Sequence, residues 1–317
     1  MSEPETPLRL AIAGAGRVFE RIYAPAIPLA HSLRLVAVAE PNAEQLGSVP
    51  GHGVARYAGL EELLAAGGFD CLALLTPPRL HFEHVMKALP LGLPLLVEKP
   101  VALDLAELEA WPRAGSPALI TPVFPRRYWP SYRRWRPRAA TARQLRCVLE
   151  ASPAAWGARS GPPPGPEYDL LPHVVDLCRW ATGEEVAAVE GSSAQGGVTA
   201  RLVLGSGRIA ECVARHRGGW VEGLEIDGKR CFVNEPSHWQ QLSRRLDRLR
   251  GLPGEDVRGL AGMLEQWAVR VRGGAATELP GAADAWANVA IVGACMESIA
   301  SGGQRASVRP VPPGWLR

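Results

Sequence analysis

Between Leu8 and Val97 the chain repeats one pattern, a short unbroken apolar run followed by a stretch with helical spacing. Leu8–Ala13 (LRLAIA), Leu33–Ala39 (LRLVAVA), Phe69–Thr76 (FDCLALLT) and Leu93–Val97 (LPLLV) are continuous rather than alternating. A strand that is apolar on both sides of its pleat has to be covered on both faces, and such strands belong to parallel sheets flanked by helices. The helical spacing of Leu60–Ala66 and His81–Leu89 supplies the covering layers. This half of the chain therefore reads as α/β, a doubly wound parallel sheet.

At 317 residues the chain is longer than one core usually supports, which points to two domains. The character changes after residue 121, where prolines and arginines crowd 122–138 and GPPPGP at 161–166 reads as a loop. From Val186 to Asn234 come short strands broken by glycines: VAAVEGSSA, VTARLVLG, GRIAECVARH, GWVEGLEIDG and KRCFVNE. Tight turns at Gly205-Ser206-Gly207 and Asp227-Gly228 fit an antiparallel meander. Amphipathic helices are expected at 255–272 and 281–300. The expected division is an α/β domain over 1–121, then an α+β domain over 122–317 built on a mostly antiparallel sheet.

Several function classes drop out. Six cysteines, at 71, 147, 178, 212, 231 and 295, are scattered without a CxxC pair, which argues against a metal site or a disulfide framework. No apolar run reaches the roughly 20 residues that span a bilayer, and MSEPETP has no signal-peptide character, so a cytoplasmic protein away from membranes is expected. A net charge of +3 gives no basic face for nucleic acid.

GAGRVF at 14–19 directly follows the first strand and precedes a helix. Gly14 permits the tight turn, Gly16 lets a pyrophosphate approach the backbone at a helix N-terminus, and Arg17 and Val18 complete the cofactor-side loop. Phe19 stands where a small residue is usual. Glu40 ends the second strand 24 residues beyond Gly16, placed to accept hydrogen bonds from an adenosine ribose. A carboxylate there repels a 2′-phosphate and Pro41-Asn42 offers no arginine, so NAD is favoured, with NADP left open. The first domain is thus Rossmann-like.

Four motifs occur in order: GAGRV at 14–18, TPPRLH at 76–81, VEKP at 97–100 and DLLPHVVDL at 169–177. Over nearly its full length the chain resembles the glucose–fructose oxidoreductase / inositol dehydrogenase / MocA family of NAD(P)-dependent oxidoreductases. FPRRYWPSYRRW at 124–135 resembles the segment that opens that family's second domain, and AADAWANVAIVGACMESIASG resembles its closing helix. The resemblance implies that the Lys of EKP and the D-x-x-x-H element form the catalytic group, here Lys99, Asp169 and His173. It implies that Glu98 contacts the nicotinamide-side ribose and that Thr76, Pro77 and His81 line the cofactor. It also implies a homodimer or homotetramer formed through the open face of the second sheet.

The local chemistry agrees. Asp169 and His173 are four residues apart, which on a helix puts both on one face, and Pro172 is tolerated if the helix begins within a turn of it. The carboxylate can orient the imidazole, which takes the proton of a substrate hydroxyl or returns it. Lys99 can polarise the reacting oxygen. His216 ends a strand and could approach this site, whereas His31, His52, His84 and His238 read as surface or packing residues.

Arginines at 126, 127, 133, 134, 136 and 138 interleave with Tyr128, Trp129, Tyr132 and Trp135. They form either a wall for an anionic substrate, with Arg127 in it, or a domain-opening helix with packed aromatics and solvated arginines. Trp156 and Tyr168 are further candidates for lining a substrate pocket. The expected activity is interconversion of a secondary alcohol and a ketone on a small-molecule substrate: a sugar, a cyclitol or a related, anionic or nucleotide-linked compound. Two alternatives stay open: a glycosidase-like relative that retains NAD, and a non-catalytic dinucleotide-sensing or scaffold protein on the same fold.

Overall fold

The computed structural model describes residues 6–153, 164–234, 253–276 and 278–315. The chain divides into two compact units, each with its own sheet and core.

The first unit holds six parallel strands: β1 (Leu8–Ala13), β2 (Leu33–Ala39), β3 (Ala55–Tyr57), β4 (Cys71–Leu74), β5 (Leu95–Val97) and β6 (Ile120–Pro122). Their order is β3-β2-β1-β4-β5-β6, linked through α1 (Ala43–Gly47), α2 (Leu60–Ala66), α3 (His81–Ala88) and α4 (Leu105–Ala110). Strand order reverses between β1 and β4, so the loops leaving their C-terminal ends part and open a crevice. The doubly wound parallel sheet read from the apolar runs is what forms. β3 and β6 have only three residues each, and β3 is largely exposed, so neither carries a hydrophobic run that sequence could reveal.

Between β1 and β2 the chain makes a π turn (Phe19–Tyr23), an α turn (Ala24–Ala26) and a 3-10 turn (Ile27–Leu29). The π turn is wider than an α turn, closed by the Ala24 N–H donating to the Phe19 carbonyl. Phe19 and Tyr23 are both buried in the core, so the bulky residue of the glycine motif is taken up by widening the helix.

The second unit contains α5 (Pro130–Ala140), β7 (Leu145–Ala151), α6 (Pro166–Asp169), α7 (Leu171–Thr182), β8 (Val186–Ala194), β9 (Gly197–Leu204), β10 (Ile209–His216), β11 (Val221–Ile226) and β12 (Lys229–Asn234). The short β13 (Ala306–Ser307) ends its sheet, whose order is β12-β11-β7-β10-β9-β8-β13. The expected meander is only partly realised. β8, β9 and β10 pair antiparallel in sequence order, but β7 inserts between β10 and β11 and runs parallel to β10. β7 is buried along most of its length and lies inside the sheet, a placement set by pairing with strands some 65 residues away.

All six cysteines are buried and free of disulfides, and three of them converge. Cys147 on β7 and Cys212 on β10 are register partners, Cys178 reaches them from α7, and the three sulfurs lie within 4.8 Å of one another. All three are buried. The Cys212 thiol donates to the Val174 carbonyl at 3.3 Å, and burial pushes it up, so it stays protonated within the helix–sheet seam.

The chain then returns to the first unit. Helix α8 (Glu255–Val271) buries Val257, Leu260, Leu264 and Trp267 in the core that contains Leu10, Ile12, Phe19 and Tyr23. Asp256–Ala285 and the turn Pro313–Trp315 complete that unit, with Trp315 stacked on Trp111 at 5.8 Å. A single division at 121/122 is therefore not how the chain partitions. The helical spacing of α8 shows that it has an apolar face; which core receives that face is a tertiary matter. The last helix, α9 (Ala282–Ala300), belongs from Trp286 onward to the second unit, where Ile291 and Cys295 join the core.

Candidate active site

Four loops meet at the C-terminal edge of the first sheet. Gly14 follows β1 with φ +100°, and a Cβ there would lie 2.8 Å from the backbone of Leu75, so only glycine fits. A Cβ on Gly16 would meet nothing within 4 Å, which leaves open space in front of the turn. Arg17 and Val18 are half-buried, with Val18 packed on the core. Glu40, at the end of β2, is buried: its Oε2 accepts from the Ala15 N–H at 2.8 Å and its Oε1 from the Asn42 N–H at 3.0 Å. The carboxylate that the sequence assigns to a ribose thus also clasps the glycine turn. Each oxygen keeps a further lone pair for a hydroxyl.

At the end of β5, Glu98 and Lys99 are half-buried. The Tyr23 hydroxyl donates to Glu98 Oε1 at 3.0 Å, and the Lys99 N–H donates to Oε2 at 3.1 Å. Burial pushes the Glu98 carboxyl up, opposed by the Lys99 charge and the Tyr23 hydrogen bond. Burial and the Glu98 charge push the Tyr23 phenol well up, so it remains a donor. Tyr23 is a site residue that sequence reasoning missed, since nothing local marks it.

Thr76 and Pro77 follow β4 and are half-buried. The Thr76 hydroxyl lies 3.0 Å from His84 Nδ1, so His84 has a partner in this loop and is more than a surface residue. His81 differs from its expected place. Its ring is fully buried, with Nδ1 2.7 Å from the Pro100 carbonyl and Nε2 2.7 Å from the Thr76 carbonyl. It braces the loops after β4 and β5 instead of facing the crevice, because it begins α3 beneath them. Burial pulls it down to about 4 despite the two carbonyls.

In the second unit, Asp169 closes α6 and His173 lies in the first turn of α7. Helix α7 begins at Leu171, one residue before Pro172, which is where a proline without an N–H is tolerated, and the joint residue Leu170 keeps helical dihedrals. His216 Nε2 lies 3.3 Å from Asp169 Oδ2, a contact that brings the end of β10 to this element. Tyr168 packs partly buried against the core. Trp156 and His238 lie outside the described residues.

The arginine–aromatic segment is largely structural. Arg127, expected at a substrate, is buried and ion-paired with Asp284 at 2.7 Å. Trp129 stacks on Tyr132, Tyr132 meets Trp135 edge-on and donates to buried Glu222 at 2.9 Å, and Arg136 lies over Trp180. Arg126 lies close enough to Glu98 to favour its charged form.

Residues 8–114 match the oxidoreductase family described by its NAD-binding Rossmann fold. The rhizopine catabolism protein MocA of Rhizobium meliloti is 30% identical over 193 residues, which cover 57% of this chain and 59% of that protein. Inositol 2-dehydrogenase 4 of Saccharopolyspora erythraea is 30% identical over 211 residues, covering 57% of this chain and 56% of that one. The matched stretch thus spans less than two thirds of either relative. The fold extends further: myo-inositol dehydrogenase from Lactobacillus casei, solved in complex with NAD(H) and myo-inositol, superposes with a TM-score of 0.75 at 14% identity, covering 98% of this chain and 100% of that one. The glycine turn, the Glu40 clasp and the Glu98-Lys99 strand end all lie within residues 8–114, the part of the first unit that matches the Gfo/Idh/MocA family of oxidoreductases and its NAD-binding Rossmann fold.

Proposed function

We propose that the protein is an NAD(H)-dependent oxidoreductase that interconverts a secondary alcohol and a ketone on a sugar, a cyclitol or a related polyol. The observation that carries this reading is the convergence of Gly14, Glu40, Thr76 and Glu98-Lys99 at one strand-end edge, beside the switch point. The residues fit the cofactor: open space in front of Gly16 suits a pyrophosphate, Glu40 has acceptor capacity for the adenosine ribose, and Glu98 has it for the second ribose. Bound NAD+ supplies the hydride acceptor.

The chain's own residues handle the proton and the oxygen. His173 takes the hydroxyl proton as the alcohol is oxidised and returns it in reduction. Asp169 holds the imidazole in a basic, oriented form. Lys99 stabilises the negative charge developing on the reacting oxygen. Self-association through the open face of the second sheet is part of this proposal.

A panel of cyclitols, sugars and nucleotide-linked sugars, assayed with NAD+ and NADP+ at the NADH band, tests the reading. Net absorbance change separates it from a glycosidase-like cycle that regenerates its cofactor. Lys99→Ala and His173→Ala are each expected to cut kcat by roughly a hundredfold or more, with NAD+ affinity by calorimetry within a few-fold. Unchanged turnover in either variant rejects the mechanism.

A further inference from the structure

We infer that His216 is a positioning residue for the Asp169–His173 pair, an inference that rests on the reading of His173 as the proton-handling group. Asp169 sits at an insecure place in the backbone. It ends a helix of four residues, too short to hold itself rigid, and the next helix has in its first turn a proline without an N–H to bond back to it. A carboxylate there needs an outside tether if it is to hold one plane.

His216 provides that tether from a rigid element. It is the last residue of β10, which is hydrogen-bonded to β7 on one side and β9 on the other, and its own N–H donates to the Gly196 carbonyl at 3.1 Å. Its Nε2 lies 3.3 Å from Asp169 Oδ2, and the two side chains are only 15% and 16% exposed. A carboxylate accepts and cannot donate, so Nε2 carries the proton in this contact. The neighbours Arg215 and Arg217 both turn to Glu150, at 3.2 Å each, leaving His216 to face Asp169. With Oδ2 held, the carboxylate plane is set in the element that carries the His173 imidazole one turn further on. His216 thus acts on the reaction only through Asp169.

Imidazole NMR on the full-length 15N-labelled protein and steady-state kinetics test this together. In the wild type, His216 is expected in the Nε2–H tautomer, and Asp169→Asn is expected to shift its resonances. His216→Leu is expected to displace the His173 resonances and lower kcat about tenfold or more, with KM for the best-turned-over polyol of the panel changing less than about twofold. His216→Gln, whose amide can present an N–H where Nε2 stood, is expected to return both to near wild type. His173 resonances and kcat unchanged in His216→Leu overturn the inference, and so does a Gln variant as impaired as Leu, since that marks a packing role. Full turnover in His173→Ala overturns the reading of His173 instead, and the NMR comparison still decides whether His216 fixes Asp169.

Discussion

The Tyr23 hydroxyl donates to Glu98 Oε1 across 3.0 Å, tying the helical run after the glycine turn to the strand end that presents Lys99. Tyr23 is fully buried, so water cannot take over its bond to Glu98 from its side. Tyr23→Phe keeps the ring and removes the donor. We expect it to cost about 1–2 kcal/mol of stability, read as a lower urea midpoint, and to weaken NAD+ binding in calorimetry. An unchanged midpoint and affinity would show that the bond contributes nothing.

The two motif glycines are expected to fail in different ways. Gly14→Ala forces a side chain into the left-handed region and against the Leu75 backbone, so it should destabilise the fold by roughly 2 kcal/mol or more. A methyl group on Gly16 meets no protein atom, so Gly16→Ala should keep the wild-type melting temperature. It should nevertheless lose NAD+ affinity about tenfold, because the methyl occupies space that the pyrophosphate needs. Equal behaviour of the two variants would contradict this division.

Glu40 links the turn and cofactor choice. Glu40→Ala removes the acceptor for the Ala15 and Asn42 N–H groups together with the charge that repels a 2′-phosphate. Weaker NAD+ binding and a raised NADP+/NAD+ ratio of kcat/KM are the expected results. A ratio that stays put would locate the preference elsewhere.

His81 gives the fold an acid sensitivity. Its ring is pulled down to about 4 in the folded protein, against about 6.5 when unfolded, so between these values the unfolded chain binds the extra proton. Stability is therefore complete above pH 6.5 and falls as the pH drops towards 4, by roughly 3 kcal/mol in all. Urea unfolding from pH 7.5 to 4.5 should show this slope, and His81→Gln should flatten it. An equally steep slope in the variant would assign the sensitivity to other groups.

Much of the first unit is legible in the sequence because its signals are local. Unbroken apolar strands demand a sheet covered on both faces, a glycine turn after the first of them marks its C-terminal edge, and Glu40 and Glu98-Lys99 are chain neighbours of strands already identified. The aromatics of α5 likewise show their packing role only through Glu222, 90 residues from Tyr132.

What tertiary structure alone decided is which distant groups meet. Tyr23 reaches Glu98 over 75 residues of sequence and His216 reaches Asp169 over 47, and neither pairing leaves a local mark. The insertion of β7 between β10 and β11, the convergence of three cysteines and the return of α8 to the first core have the same origin. A residue pattern states that a face is apolar or a side chain polar. Strand pairing and the packing of whole elements choose the partner, and they carried His81 beneath the loops while bringing His216 to the carboxylate.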